Sequence, residues 1–462
     1  MPVAVNARHS NARELRAGKE PFPWRSFALI VGFALVLRLL FSWLIANTYD
    51  YDEFVILQLG RAFAHGAVPY AGFAFYHPPG ILFLMRALSP ITDLWWPAAR
   101  VLSSLVDAAT AGLVFWVGLN VFDKRRATLA GVVYAVSPVA LLAGARVNQD
   151  VLLTFFGMLG LAVLIASPRA AAAVAAGVCL ALALWIKYPA ALFLPVYALA
   201  APRRVVPMAA GFVGALAALL ATISGQLHAF YHDTVAFQQH RWSMKLPVRL
   251  ETLSLYWLVF NPLAVAGAMR YRRRVWLVAG FVLGGAFVFA SQVYYHYFVP
   301  IVPFAALLSA PVVAWLIDAL PRHVRPGWKA FGVAGLVIAL ALGMGIDRGG
   351  SSPLYITAAH LSSLRSSIRT LDRVSRPGEP ILADRLEYAY LARRPELNNY
   401  FWSRGPSVNA RHLEAIVPRA EAVVLSRGAS SGYPRGFVPY LDHHFRVIAR
   451  NPGTDVIWRV PR

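Results

Sequence analysis

"SFALIVGFALVLRLLFSWLIA", Ser26 to Ala46, is followed almost at once by "YDYDEFVILQLGRAFAHGAVPYAGFAFYHPPG", Tyr49 to Gly80. At about 1.5 Å per residue the first stretch, apolar but for Arg38 and two serines, is long enough to cross a hydrocarbon core of roughly 30 Å. It is longer than the apolar part of a secretory signal and no small-residue cleavage site follows it, so it reads as a span. The second stretch places Asp50, Asp52 and Glu53 where that span leaves the bilayer.

Of 462 residues, 58% are hydrophobic and only 14% charged, a balance too apolar for a water-soluble globule of this length. Further apolar runs lie at Pro97 to Val121, Ala127 to Ala145, Val151 to Ala166, Ala170 to Ile186, Pro189 to Ala201, Val205 to Ser224, Leu253 to Ala268, Val275 to Ala290, Tyr297 to Leu320 and Ala330 to Ile346. The expected fold is an all-α polytopic membrane protein with about eleven spans. Residues 1–25 form a basic arm, residues 26–346 the transmembrane domain, and residues 347–462 a small α/β domain.

Charge orients the spans. The net charge of +22 could suggest nucleic acid, but the basic residues fall mostly in short loops and in the tail, a membrane-topology signal, and no nucleic-acid partner is expected. With a break at "KYP" (Lys187 to Pro189), the arm with Arg25, "DKRR" at Asp123, Arg169, Arg203 with Arg204, "RYRRR" at Arg270 and "PRHVRPGWK" at Pro321 share one side, which the positive-inside rule makes cytoplasmic. The chain is thus expected in the plasma (inner) membrane, with loops 47–96 and 225–252 and the tail on the outer face. In the tail, Ala358 to Val374 reads as an amphipathic helix, and "PILAD", "AVVLS", "FRVIA" and "DVIWRV" read as strands.

Nearly all candidate chemistry falls on that outer side. "EFVILQLGRAFAHG" has the apolar face of a helix lying in the interface. The turns "VPY" and "YHPPG" are stiffened by proline and hold Tyr76 and His77 beside the carboxylates. Ile81 to Thr92 is too short to span and reads as a second interfacial segment. Candidate cations for a ligand phosphate are Arg146, Lys187, Arg241, Lys245 and a protonated His296; each taken alone reads first as a snorkelling or headgroup-contacting residue. Asp150 is a second binding carboxylate or a partner of Arg146. His228 and His232, one helical turn apart and next to Asp233, could hold a divalent metal ion, or belong to a loop that touches sugar or headgroup. Arg38 and Asp107 lie inside spans, where ionisable groups invite a partner: Arg38 toward the bundle or a polar surface, Asp107 toward a neighbouring helix. The single cysteine, Cys179, excludes an intrachain disulfide. The sequence has no nucleotide-binding glycine loop, phosphate cradle or "HExxH".

The order of "DEF", "GAVPY", "YHPPG", "NQDVLLTFFGMLGLA", "WIKYPA" and "YYHYFVPIVPFAALL", with a tail containing "PILADRLEYAYLARRPELNNYF", resembles GT-C fold membrane glycosyltransferases of the protein O-mannosyltransferase and lipid A aminoarabinose transferase type. The resemblance implies transfer of a sugar from a polyprenyl-phosphate donor to a lipid, glycan or protein hydroxyl on the outer face. It also implies a first-loop aspartate as base, carried by position to Asp52 with Asp50 as its competitor, and it puts His77 where that family often has a basic residue. A lipid phosphate is already a competent leaving group, so the reaction needs a base and cations but no protonating acid. The rival reading is a secondary transporter or flippase, which would place its binding groups near the midplane in paired, interrupted segments.

Overall fold

The computed structural model describes residues 21–46, 50–240, 243–259, 261–272, 274–319, 358–397, 410–426, 436–450 and 455–459. The arm before Pro21, Arg241, Arg273, the basic stretch from Pro321 and the expected span Ala330 to Ile346 lie outside them. Among the described residues, five helices are long and apolar enough to cross a membrane: Trp24–Leu44, Pro97–Leu119, Gln149–Ala166, Pro202–Ala221 and Tyr295–Ala319. Two bent pairs, Lys124–Ala135 with Pro138–Gly144 and Leu246–Leu258 with Pro262–Arg270, pass the same test together. Gly80–Thr92, Ala170–Ile186, Tyr188–Ala200 and Val275–Phe289 are shorter apolar helices. The chain is a mostly helical, multi-pass membrane protein, and each expected span before Ala330 coincides with one of these apolar segments.

The chain divides into two compact units. The first comprises Met1–Ser42, Arg100–Ile223 and Arg241–Leu342; the second comprises Trp43–Ala99, Ser224–His240 and Gly343–Arg462.

In the first unit, helix Trp24–Leu44 buries only Ile30, Ala34 and Arg38, a stripe at i, i+4 and i+8, and exposes Leu29, Val36 and Leu40 as a lipid-facing surface does. Arg38 on that stripe is fully buried. Its Nε donates to Asp107 Oδ2 at 2.6 Å, and Tyr134 Oη donates to Asp107 Oδ1 at 2.6 Å. The guanidinium also donates to the carbonyls of Tyr134 and Ala135, at the end of helix Lys124–Ala135, where the chain bends by 58° into Pro138–Gly144. A break in a helix orphans such carbonyls, so Arg38 both pairs Asp107 and satisfies the bend.

The sequence expectation of a break at "KYP" meets a helix that ends at Ile186. Lys187 is extended, with φ −164° and ψ 141°, and Pro189 opens a 3-10 turn at Tyr188–Leu192. Helices Ala170–Ile186 and Val205–Ala221 cross backbone to backbone through two glycines. A Cβ on Gly177 would lie 2.0 Å from the Met208 carbonyl oxygen and one on Gly211 would lie 2.2 Å from that of Val174. Small residues are the usual means of such close approach in membranes.

In the second unit, β1 (Ile381–Ala383), β2 (Ala422–Ser426), β3 (Arg446–Arg450) and β4 (Asp455–Arg459) form a sheet of order β1-β2-β4-β3. β1 and β2 run parallel, and the other pairs are antiparallel. Alternation along the strands divides the core. Ile381, Ala422, Val424 and Ile457 pack with Leu364 and Leu371 of helix Ala358–Val374, while Leu382, Val423, Leu425 and Trp458 pack with Leu413, Phe437 and Leu441. The first-loop helices Tyr51–Ala64 and Gly80–Thr92 belong to this unit too. They pack so tightly that a Cβ on Gly60 would fall 2.3 Å from Met85 Cβ.

Candidate active site

Helix Tyr51–Ala64 begins at a defined cap. Asp50 has extended backbone and its Oδ1 accepts from the Asp52 amide at 3.0 Å, so one of the three first-loop carboxylates closes the helix end. Asp52 and Glu53 then occupy the first turn, where the helix dipole favours anions. Asp52 is exposed and Glu53 is fully buried. Three adjacent acids therefore occupy three environments.

The Tyr76-His77 turn is held on two sides. Tyr70 carries a φ of 67°, a left-handed conformation that strains a non-glycine residue by about 1–3 kcal/mol. Its hydroxyl donates to the His77 carbonyl at 2.8 Å and its ring meets Phe230 at 5.3 Å. The Tyr76 ring stacks on Phe237 at 3.8 Å, and Gln238 donates to the Tyr76 carbonyl at 2.9 Å. Pro79 then caps helix Gly80–Thr92, its carbonyl accepting from the Leu82 and Phe83 amides.

His228 and His232 are exposed, the helix passes into a π turn at His232–Ala236, and the Asp233 carboxylate is engaged by the Phe75 amide. Asp233 also lies 3.4 Å from its neighbour His232, and burial pushes its carboxyl above the usual range. Among the described residues no group of three or more His, Cys, Asp or Glu side chains is placed to hold a metal ion.

The remaining candidates lie in the first unit. Asn148 Oδ1 accepts from the Asp150 amide at 2.7 Å and so starts helix Gln149–Ala166 with Asp150 in its first turn. Lys187, at the "KYP" break, donates to Asp150 Oδ2 at 2.6 Å and sits 4.9 Å from the centre of the Tyr297 ring. His296 Nε2 is 3.9 Å from the same carboxylate oxygen, and its ring stacks on Tyr294 at 5.6 Å. Asp150 and Lys187 are thus a buried pair with the partly exposed His296 beside them, and the charge of Lys187 is matched before any ligand arrives. Arg146 is also buried. Lys245 is exposed at the start of helix Leu246–Leu253, in a segment pinned by a bond from the Met244 amide to the Ser291 carbonyl at 2.8 Å.

Sequence reasoning missed the supporting residues. Phe237 and Gln238 carry no motif, Tyr294 and Tyr297 flank a histidine already singled out, and Tyr390 lies in the tail, about three hundred residues from the loop it meets.

The fold is that of the GT-C membrane glycosyltransferases. Residues 76–227 match the dolichyl-phosphate-mannose-protein mannosyltransferase family. Among solved structures, ArnT from Cupriavidus metallidurans bound to undecaprenyl phosphate superposes with a TM-score of 0.63 at 16% identity, covering 94% of this chain and 98% of that one. The Archaeoglobus fulgidus oligosaccharyltransferase in complex with zinc and sulfate gives 0.53 at 13% identity, over 91% of this chain and 71% of the other. The arabinofuranosyltransferase AftD from Mycobacteria gives 0.54 at 15%, over 96% of this chain and 42% of AftD. A search of the curated proteins finds no match.

Proposed function

We propose that this chain is a membrane glycosyltransferase that moves a sugar from a polyprenyl-phosphate donor to a hydroxyl acceptor, with Asp52 as general base. The observation that carries the proposal is Asp52 itself: an exposed carboxylate at the first turn of a capped helix, within the same unit as the braced Tyr76-His77 turn, in a chain of GT-C fold. The undecaprenyl phosphate bound to the structurally similar ArnT supports a lipid phosphate as the donor's carrier.

In this reading the acceptor O–H gives its proton to the Asp52 carboxylate as the oxygen attacks the anomeric carbon. The bond from that carbon to the phosphate oxygen breaks, and its electron pair leaves with the polyprenyl phosphate. A single displacement of this kind inverts the anomeric configuration. Arg146, Lys187, Arg241, Lys245 and His296 are the cations proposed to meet the phosphate, and Asp150 and Glu53 the carboxylates proposed to bind substrate. The chemistry is proposed on the outer face of the plasma membrane, with about eleven spans, a cytoplasmic N-terminus and an outward tail. Gln239→Cys in a Cys179→Ser background should then react with an impermeant thiol reagent in intact cells; reaction only after lysis would reverse the topology.

The direct test incubates purified protein, in vesicles without an ion gradient, with undecaprenyl-phosphate mannose or undecaprenyl-phosphate arabinofuranose and a cell-envelope extract that supplies lipid, glycan and protein hydroxyl acceptors, and follows sugar transferred to that extract. Release of undecaprenyl phosphate supports transfer. Movement of intact donor between leaflets with no release would support the transporter reading instead.

A further inference from the structure

We infer that Tyr390, from the C-terminal segment, is a positioning residue for the helix that carries Asp52; the inference rests on the reading of Asp52 given above. Phe54, Gln58 and Arg61 lie on one face of helix Tyr51–Ala64, at i, i+4 and i+7. All three touch the tail. Phe54 meets the Tyr390 ring at 5.7 Å, and Gln58 Nε2 donates to the Arg394 carbonyl at 3.3 Å. The Arg61 guanidinium lies 3.8 Å from the centre of the Tyr390 ring and donates to the Tyr390 carbonyl at 2.9 Å, while its Nε pairs with Asp93 at 2.6 Å.

Tyr390 also reaches the second first-loop helix. Its side chain is buried, and its hydroxyl donates to the carbonyl of Thr92, the last residue of Gly80–Thr92, at 3.1 Å. One tail residue therefore ties together the two helices that Gly60 and Met85 already pack face to face. The tie is anchored in turn. Arg394 donates to Ser375 Oγ at 3.1 Å and to the Ser375 carbonyl at 2.6 Å, and its amide donates to the Ala389 carbonyl at 2.8 Å, which fastens helix Leu386–Leu391 to the end of helix Ala358–Val374.

The lever arm gives the contact its consequence. Asp52 lies nine residues from Arg61, roughly 13 Å at about 1.5 Å per residue. A tilt of about 5° at the Arg61 end moves Asp52 by about 1 Å, and misplacement of about 1 Å lowers turnover by up to about 10²-fold. A cation–π contact, two carbonyl-directed hydrogen bonds and a half-buried ion pair resist that tilt.

The test compares Tyr390→Phe, Tyr390→Leu and Arg61→Gln in the full-length protein, reconstituted in nanodiscs. Phenylalanine keeps the ring for Arg61 and Phe54. Leucine keeps apolar bulk without it, and Arg61→Gln removes the cation while leaving Tyr390 in place. Hydrogen exchange needs no substrate: amides of Tyr51 to Gly60 should lose about tenfold or more of their protection in Tyr390→Leu and Arg61→Gln, with β1 and β2 unchanged and Tyr390→Phe close to wild type. With undecaprenyl-phosphate mannose, kcat should fall by about tenfold or more in the same two variants at nearly constant KM, below their unfolding temperatures. Unchanged protection in a folded Arg61→Gln or Tyr390→Leu protein overturns the inference, as does a lower unfolding temperature with wild-type kcat. Asp52→Asn separates the two readings. If it is inactive while both tail-contact variants turn over normally, the positioning role fails alone; if it is fully active, the base reading fails and this inference with it.

Discussion

Lys187 Nζ stands 2.6 Å from Asp150 Oδ2, with 6% of the lysine side chain and 1% of the aspartate exposed. The pair joins the broken end of helix Ala170–Ile186 to the capped start of helix Gln149–Ala166. Removing one partner strands a buried charge. Lys187→Met should therefore destabilise the protein by about 3–5 kcal/mol, and Lys187→Met combined with Asp150→Leu by clearly less. Thermal unfolding of Lys187→Met, Asp150→Leu and the double variant checks this, and a double-variant loss equal to the sum of the two single losses would mean that the two charges are not coupled.

The crossing at Gly177 and Gly211 is a second place where one atom decides. Gly177→Leu must push helix Val205–Ala221, which carries the Met208 carbonyl, away from helix Ala170–Ile186, which should destabilise by about 1–3 kcal/mol. Gly214 lies on that same helix, and a Cβ there would meet nothing within 4 Å. Gly214→Ala should leave the unfolding midpoint unchanged or slightly higher. The pair of midpoints tests the crossing with its own control.

Asp233 gives a pH dependence of definite sign. Burial raises its carboxyl in the folded state, so the folded protein holds that proton more tightly than the unfolded chain does. Its contribution to stability is present at pH below the ordinary aspartate range and is lost as pH rises through the raised folded value. Asp233→Asn should flatten stability against pH across that window and match or exceed wild type at neutral pH. Wild-type stability that increases through the same window would contradict the assignment.

Much of the architecture was legible because it depends on local pattern. The apolar runs before Ala330, the break before Pro189, the helix Ala358–Val374 and the four strands all follow from period and from proline, and each lies where the sequence pattern indicates. Arg38 and Asp107 were marked as charges needing partners, but periodicity cannot say that the partners are each other. The His228, His232 and Asp233 set had suggestive spacing in sequence, but spacing alone does not bring three ligands together, and among the described residues no such group is placed to hold a metal ion. The contacts of Tyr390 with Arg61 and Thr92 join segments about three hundred residues apart, and nothing local encodes such a pairing.

The central claim is that Asp52 takes the acceptor's proton, and Asp52→Asn tests it most directly. Asparagine is nearly isosteric and leaves the Asp50 cap intact, because that cap uses the Asp52 backbone amide and not its side chain. Turnover of a polyprenyl-phosphate sugar by the purified variant should fall by about 10² to 10⁴, with affinity for undecaprenyl phosphate and the unfolding midpoint close to wild type. Near wild-type turnover in Asp52→Asn would contradict the account and move the search for the base to Asp50, Asp150 or Asp233.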